Sequence, residues 1–364
     1  MHITQLRLSD FRNFQSLELS PSPSFNLLYG LNGAGKSSVI EAIYLLGFGR
    51  SFRSSKADSI IKYESQSASS FCRFDDEGHL SSLGLMRIKN DGFSLSIDGE
   101  KTKRISDLAR RLPIQIFTPQ SSDLILGAPM LRRRFLDWLL FHVEQSFYFA
   151  SQSYAHALRQ RNALLKLSDV QDLQGFMDQD VWRDILIEHG MTINERRKHY
   201  LARLNKELKH LYSVFRPDVE IELRYNQGWD NALSLADAIH SKVHRDLLKG
   251  SSSVGPHKAD IQFLVNGKAA SEFLSRGQLR VLVSLLLTAQ VKVLKSITKK
   301  SCIFLVDDIA AELDINTREF FLDTIASENA QIFVTAIEKE QLNFAKKYNN
   351  NKVFHVEHDS VNEE

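Results

Sequence analysis

Cysteine is almost missing from this chain. Cys72 and Cys302 are the two it has, far apart and without a C-x-x-C partner, which excludes a disulfide framework and a cysteine zinc site and suits a reducing cytoplasm. A run of about 18 apolar residues is also lacking, so nothing is expected to span a membrane. Charge of one sign is scarce too. Lys and Arg number 46 against 44 Asp and Glu, a formal excess of two, so the chain cannot coat nucleic acid by bulk electrostatics and any such contact must be local. The first residues, MHITQLRLSDF, alternate apolar with polar and carry early charge, unlike a secretory signal. No internal repeat or low-complexity block is present.

What the chain does have is 364 residues, 43% of them hydrophobic and 25% charged, enough for two packed lobes. FNLLYG is a short apolar strand ending on a glycine, followed by LNGAGKS and by Val39, Ile40, Ile43, Leu45 and Leu46 at helical spacing, with Gly47 and Gly49 read as the stop. Between about 65 and 117, short alternating segments broken by Gly, Asp and Asn predict an antiparallel β-subdomain. From 125 to 240 the texture is helical, and Leu201, Leu204, Leu208 and Leu211 form a stripe read as core-facing, with a partner-binding face as the alternative. ADIQFLV, SCIFLVDD and QIFVTAI read as strands, and the acidic HVEHDSVNEE as a loose tail. The expected fold is α/β: a head from 1–124 and 241–364 with a helical lobe, 125–240, inserted in it.

The chemistry sits in three segments. Gly30, Leu31, Asn32, Gly33, Ala34, Gly35, Lys36 and Ser37, with Ser38 behind them, match G-x-x-x-x-G-K-[ST], a pattern whose backbone N–H groups and helix N-terminus cradle phosphates. Lys36 is expected to reach the phosphate oxygens and Ser37 to ligate Mg²⁺. In CIFLVDD an apolar strand delivers Asp307 and Asp308: the first is the candidate on the metal side, the second the candidate for polarising the attacking water. Ser275, Arg276, Gly277 and Gln278 open a long apolar helix. They are either a helix cap or a second phosphate site, and a chain with one complete loop would use that site for a nucleotide held by another copy.

In this order the segments resemble the ABC-type ATPase heads of chromosome-maintenance and DNA-repair proteins, and among them the RecF family. DFRNF, NGAGKSSVIEAIYLLGFGRSFR, FTP, RRRFLDW, QRNALLK, YNQGW, GPHKADI, LSRGQL and DDIAAELD carry the likeness over nearly the whole chain. The resemblance implies an ABC-type head binding ATP and Mg²⁺. It implies recombinational repair and replication restart at single-strand gaps, linked to the SOS response. It also implies an ATP-dependent homodimer, DNA (gapped, single-stranded or duplex) as partner, weak DNA-stimulated ATPase activity, RecR and RecO as further partners, and the cytoplasm as location. It places Asp314 in a dimer-crossing loop, leaves Thr335 or Ala336 where transporter heads keep a switch histidine, and makes Gln120 a nucleotide sensor or a simple turn. Arg50 and Arg53 face DNA or the nucleotide base, and Arg132, Arg133 and Arg134 line a phosphate track, or either cluster is a solvated helix end. His257 lacks companions at metal spacing and is read as a turn or interface residue. A transporter subunit, an ATP-holding adaptor and a nuclease of the overcoming-lysogenisation type are the competing classes; the last needs a metal-carboxylate domain, for which the segment after QIFVTAI is too short.

Overall fold

The computed structural model describes residues 1–348 and 350–364, and the backbone alone of Ala311 and Lys346. It divides into two units, Met1–Ser121 with Arg280–Glu364, and Ser122–Leu279.

The first unit opens with strands β1 (His2–Phe11), β2 (Phe14–Leu19) and β3 (Phe25–Tyr29), then the loop and a helix, Lys36–Phe48. Strands β4 (Ser67–Asp76), β5 (His79–Ile88), β6 (Phe93–Ile97), β7 (Glu100–Thr102) and β8 (Ile114–Phe117) follow. The second unit holds β9 (Ile221–Asn226), β10 (Asp260–Val265) and β11 (Lys268–Ala269), and the first unit resumes with β12 (Ile303–Val306), β13 (Gln331–Ala336), β14 (Asn351–Glu357) and β15 (Ser360–Glu363).

Among the described residues the first unit has two sheets, β2-β1-β4-β5-β6-β7, antiparallel, and β15-β14-β3-β13-β12-β8, parallel except for β15. The Lys36–Phe48 helix packs against strands of both, and its apolar side chains are buried nearly all round, as in a helix covered on every face. Strand β12 is apolar without interruption because both its faces are covered. In register, Val306 lies beside Val334 and Phe117, and Ala336 beside Tyr29, so the carboxyl ends of four parallel strands finish together at the loop. Gln331, fully buried, ties the sheets: its amide donates to the carbonyls of Ile3 (2.9 Å) and Ser22 (2.7 Å) and its carbonyl accepts the Ile3 N–H (2.7 Å).

Four expectations are corrected here. Gly47 does not stop the helix; a Cβ there would lie 2.6 Å from Ile114 Cδ1, so its smallness serves close packing, while Gly49 at φ 64° is the cap. The antiparallel subdomain ends at Thr102 and recruits β1 and β2, whereas Ile114–Phe117 joins the parallel sheet. The acidic C-terminal stretch is not loose: β14 pairs parallel with β3, burying Phe354 and Val356. Residues 241–279 group with the helical unit, because β10 pairs with β9 from Asp260↔Asn226 to Val265↔Ile221.

The second unit combines that three-stranded sheet with helices Pro129–Val143, Gln145–Leu167 and Trp182–Phe215. Leu201, Leu204, Leu208 and Leu211 are all buried, the core-facing reading of the stripe. Arg161, fully buried, is held by Asp180 (2.8 Å), Asp246 (3.0 Å) and the Ser252 hydroxyl (2.7 Å). The helix Arg276–Thr298, of which Arg280 onward belongs to the first unit, is long and apolar enough to cross a membrane by length and composition, although polar residues interrupt its apolar run. Of its most apolar stretch 67% is buried, as in a core helix.

Candidate functional site

The loop between β3 and its helix takes backbone angles open to glycine: φ is 82° at Gly33 and 117° at Gly35. A Cβ on Gly35 would fall 2.6 Å from Asn13 Nδ2 and 2.7 Å from the Phe14 ring. The β1–β2 turn is thus the bed of the loop, and Asn13 Nδ2 donates to the Ala34 carbonyl at 3.1 Å. Lys36 Nζ points back across the loop, donating to the carbonyls of Gly30 (2.6 Å) and Leu31 (2.9 Å). Burial lowers the affinity of Lys36 for its proton, and Asp308 and Asp307 work in the other direction. Leu31, Asn32 and Gly33 are exposed; Ser38 is buried.

Asp307 leaves the end of β12 with its N–H on the Phe117 carbonyl (2.9 Å). Its Oδ1 accepts two hydroxyls, Ser37 Oγ at 2.9 Å and Thr335 Oγ1 at 2.8 Å, and Thr335 Oγ1 in turn accepts the Asp308 N–H at 2.8 Å. Burial raises the Asp307 pKa, with Thr335, Ser37 and Arg53 opposing. Asp308 follows in the left-handed region at φ 54°, which a short polar side chain tolerates. Asn32, Lys36, Ser37, Asp307, Asp308 and Thr335 line one cleft, with Arg53 and Ile337 at it. Among the described residues no group of three or more His, Cys, Asp and Glu side chains converges to hold a metal. The hard oxygens of Ser37 and Asp307 fit a magnesium ion that completes its shell with phosphate and water.

Arg53 is therefore at the cleft. Its guanidinium lies 3.6 Å from Glu41, a fully buried carboxylate of the loop helix that Arg12 Nε (2.8 Å) and the Ser51 hydroxyl also hold. Sequence reasoning missed Glu41; its signal was an acid inside the apolar run SSVIEAIYLL. Arg50 is exposed beyond the helix, outside the cleft. Gln120 is exposed in the turn after β8 and does not line the cleft.

The other half of the sequence pattern stands by itself. Ser275 to Gln278 are exposed, and they form a reciprocal cap. The Gln278 N–H donates to Ser275 Oγ (3.3 Å) and the Ser275 N–H to Gln278 Oε1 (2.9 Å). A Cβ on Gly277 would meet nothing within 4 Å, so packing within the chain does not require glycine there. Asp314 caps the helix Ile315–Ser327, accepting the Thr317 hydroxyl (2.6 Å) and N–H (3.0 Å), which hold its pKa below the ordinary value. The Ala311 side chain of the same motif lies outside the described atoms.

Two of the three clustered arginines have partners within their own unit. Arg132 is spent on Asp260 (2.6 and 3.1 Å) and the Gly127 carbonyl (2.7 Å), and Arg133 on the Ala259 carbonyl (2.7 Å); Arg134 is exposed. His257 is half-buried, with Nε2 3.1 Å from the Ser252 carbonyl and Nδ1 2.7 Å from the Tyr154 hydroxyl. A carbonyl only accepts, so Nε2 carries the proton and Tyr154 donates to Nδ1. Burial pushes the imidazole pKa down to about 4.

Residues 2–362 match the family model described as RecF/RecN/SMC N terminal domain. The DNA replication and repair protein RecF of Pseudoalteromonas atlantica is 45% identical over 366 residues, covering 100% of both chains. That of Shewanella baltica is 39% identical over 361 residues, covering 99% of each. Among solved structures, the recombination mediator protein RecF with ATP in the RecFOR pathway matches with a TM-score of 0.86 at 24% identity, over 100% of this chain and 99% of that one. An Smc head bound to the C-winged helix domain of ScpA matches at 0.59 and 15%, over 100% and 97%. The fold is thus that of ABC-type ATPase heads.

Proposed function

From the premise that the chain belongs to the RecF family of DNA replication and repair proteins, we propose an ATP-operated switch that closes two copies on DNA and reopens on hydrolysis. The observation that carries this reading is the convergence of Lys36, Ser37, Asp307, Asp308 and Thr335 on one cleft.

Lys36 exchanges the Gly30 and Leu31 carbonyls for phosphate oxygens, an exchange favoured because a phosphate restores charge balance to a partly desolvated ammonium. Ser37 and Asp307 hold Mg²⁺, which when bound neutralises charge on the phosphates. Asp308 accepts a proton from the attacking water and is one methylene shorter than glutamate. Thr335 replaces a switch histidine; a misplacement of about 1 Å costs on the order of 10²-fold, so turnover is slow and acts as a timer. Ser275 to Gln278 serve the nucleotide of the second copy: an exposed helix N-terminus with a sterically unneeded glycine leaves room for a phosphate to approach.

The RecF structure above belongs to the RecFOR pathway; RecR and RecO are the proposed partners of this chain, stimulation by DNA its proposed control, and the cytoplasm its place. The test is binding to gapped, single-stranded and duplex DNA, with and without ATP, using Lys36→Ala as control. ATP-dependent affinity that falls steeply with salt is expected. Equal affinity with and without ATP in the wild-type chain would sink the switch.

A further inference from the structure

The helix Trp182–Phe215 is 34 residues long, about 51 Å. Its second half turns Tyr200, Leu201, Leu204, Leu208, Leu211 and Tyr212 into the core of its unit. The opposite face is predominantly basic. Between residues 195 and 216 stand seven Lys and Arg against two Glu, an excess of five in a chain whose whole excess is two. Arg197 is turned inward onto Asp137 (2.8 Å), but Arg196, Lys198, His199, Arg203, Lys206, Lys209 and His210 are all exposed.

At 3.6 residues per turn, Lys198, Ala202, Lys206, Lys209 and Ser213 fall within one quarter of the circumference, with His199, Arg203 and His210 beside them and the exposed Glu195 as the one acid at the start of that quarter. Ala202 and Ser213 give that face a low floor between long cations. Arg196 and Lys209 reach acids only loosely, Glu144 at 3.6 Å and Glu220 at 3.9 Å, and Lys198 and Lys206 make no ion pair among the described residues.

We infer that this face is a track for the phosphate backbone of DNA. The inference rests on the DNA-binding reading above and adds a surface to it. Three ligand classes compete for a basic helix, and the side chains separate them. A protein partner needs an apolar or aromatic centre, and on this helix the exposed large apolar side chains, Met191 and Val214, stand at the two ends of the basic stretch and not at its centre. A membrane surface needs a buried apolar face to accompany the cations, and here the apolar face is committed to the core. A phosphodiester chain is read by charge alone, and lysines mixed with small residues suffice. Such contacts carry no base sequence, so binding along the helix is sequence-independent.

The test compares the wild-type chain with Lys198→Glu/Lys206→Glu in ATP, measuring polarisation of labelled duplex and gapped DNA from about 50 to 300 mM salt. At least a tenfold loss of affinity at low salt is expected, with a salt slope shallower by about two, one for each lost phosphate contact. The milder Lys198→Gln/Lys206→Gln pair should move both readouts in the same direction, and circular dichroism and ATP binding should match the wild type. Unchanged affinity and slope in both variants would overturn the track while leaving the switch standing. A wild-type chain that binds no DNA even with ATP would overturn both.

Discussion

Thr335 Oγ1 donates to Asp307 Oδ1 at 2.8 Å while accepting the N–H of Asp308 at 2.8 Å, so one hydroxyl fixes the two neighbouring acids of the cleft at once. It is 1% exposed, which leaves no water to replace it. Losing a hydrogen bond to a buried carboxylate costs about 2 kcal/mol. Thr335→Val should destabilise the chain by about that amount in urea denaturation and slow phosphate release at least tenfold, whereas Thr335→Ser should restore both. Normal turnover in the valine variant would show that the hydroxyl positions nothing.

Asp307 has its pKa raised by burial, so its charged form is the strained one. A raised acid contributes stability at low pH that is lost as pH rises through the folded pKa, the reverse of a salt-bridged carboxylate. Asp307→Asn should therefore raise the melting temperature of the nucleotide-free chain at pH 7, with no phosphate release. The gain should shrink in acid; a gain that grows as pH falls would contradict the assignment.

Asp308→Asn and Lys36→Ala should part company. The first should retain ATP and prolong the dimer while lowering turnover roughly 10²- to 10⁴-fold, since it removes a general base without touching the loop. The second should abolish both binding and dimerisation. Size-exclusion chromatography with light scattering reads the difference, and an Asp308→Asn chain that stays monomeric in ATP refutes the nucleotide sandwich.

Gly277→Ala separates folding from assembly. An added Cβ meets nothing within 4 Å, so the monomer should be unharmed or gain up to about 1 kcal/mol of helix propensity. If a second copy's nucleotide approaches this helix end, the same methyl should weaken the ATP-dependent dimer. Wild-type dimerisation by the alanine chain would remove Gly277 from the interface.

His257 should make the helical unit acid-sensitive. Its pKa is lowered from 6.5 to about 4, so between those values the unfolded chain binds more protons than the folded one. Stability present above about pH 6.5 is then lost as pH falls toward 4, by about 2 kcal/mol between pH 7 and 5. Urea denaturation of the wild type and of His257→Gln at both pH values checks it. An identical pH dependence in the two would assign the effect elsewhere.

The loop GLNGAGKS and the strand CIFLVDD were legible because each is contiguous and its chemistry is carried by neighbours in sequence. What joins them was not. Thr335 meets Asp307 only because β12 and β13 pair in parallel, and no local pattern encodes which strands lie side by side. Arg132 shows the opposite failure: beside Arg133 and Arg134 it reads as a surface charge run, yet its partner Asp260 is 128 residues away. The C-terminal strand was missed because its polar alternation looks like a tail until β3 supplies an edge for it.

That last pairing has a consequence for how the protein is made. Gly30 is pressed so closely by the final strand that a Cβ would lie 2.2 Å from the Val356 carbonyl, and β3 takes its two neighbours, β13 and β14, from the far end of the chain. The nucleotide loop is made long before β13 and β14, the strands that flank its own. The geometry of the loop therefore depends on a non-local closure: β3 reaches its native setting only once both later strands have been made and have paired with it.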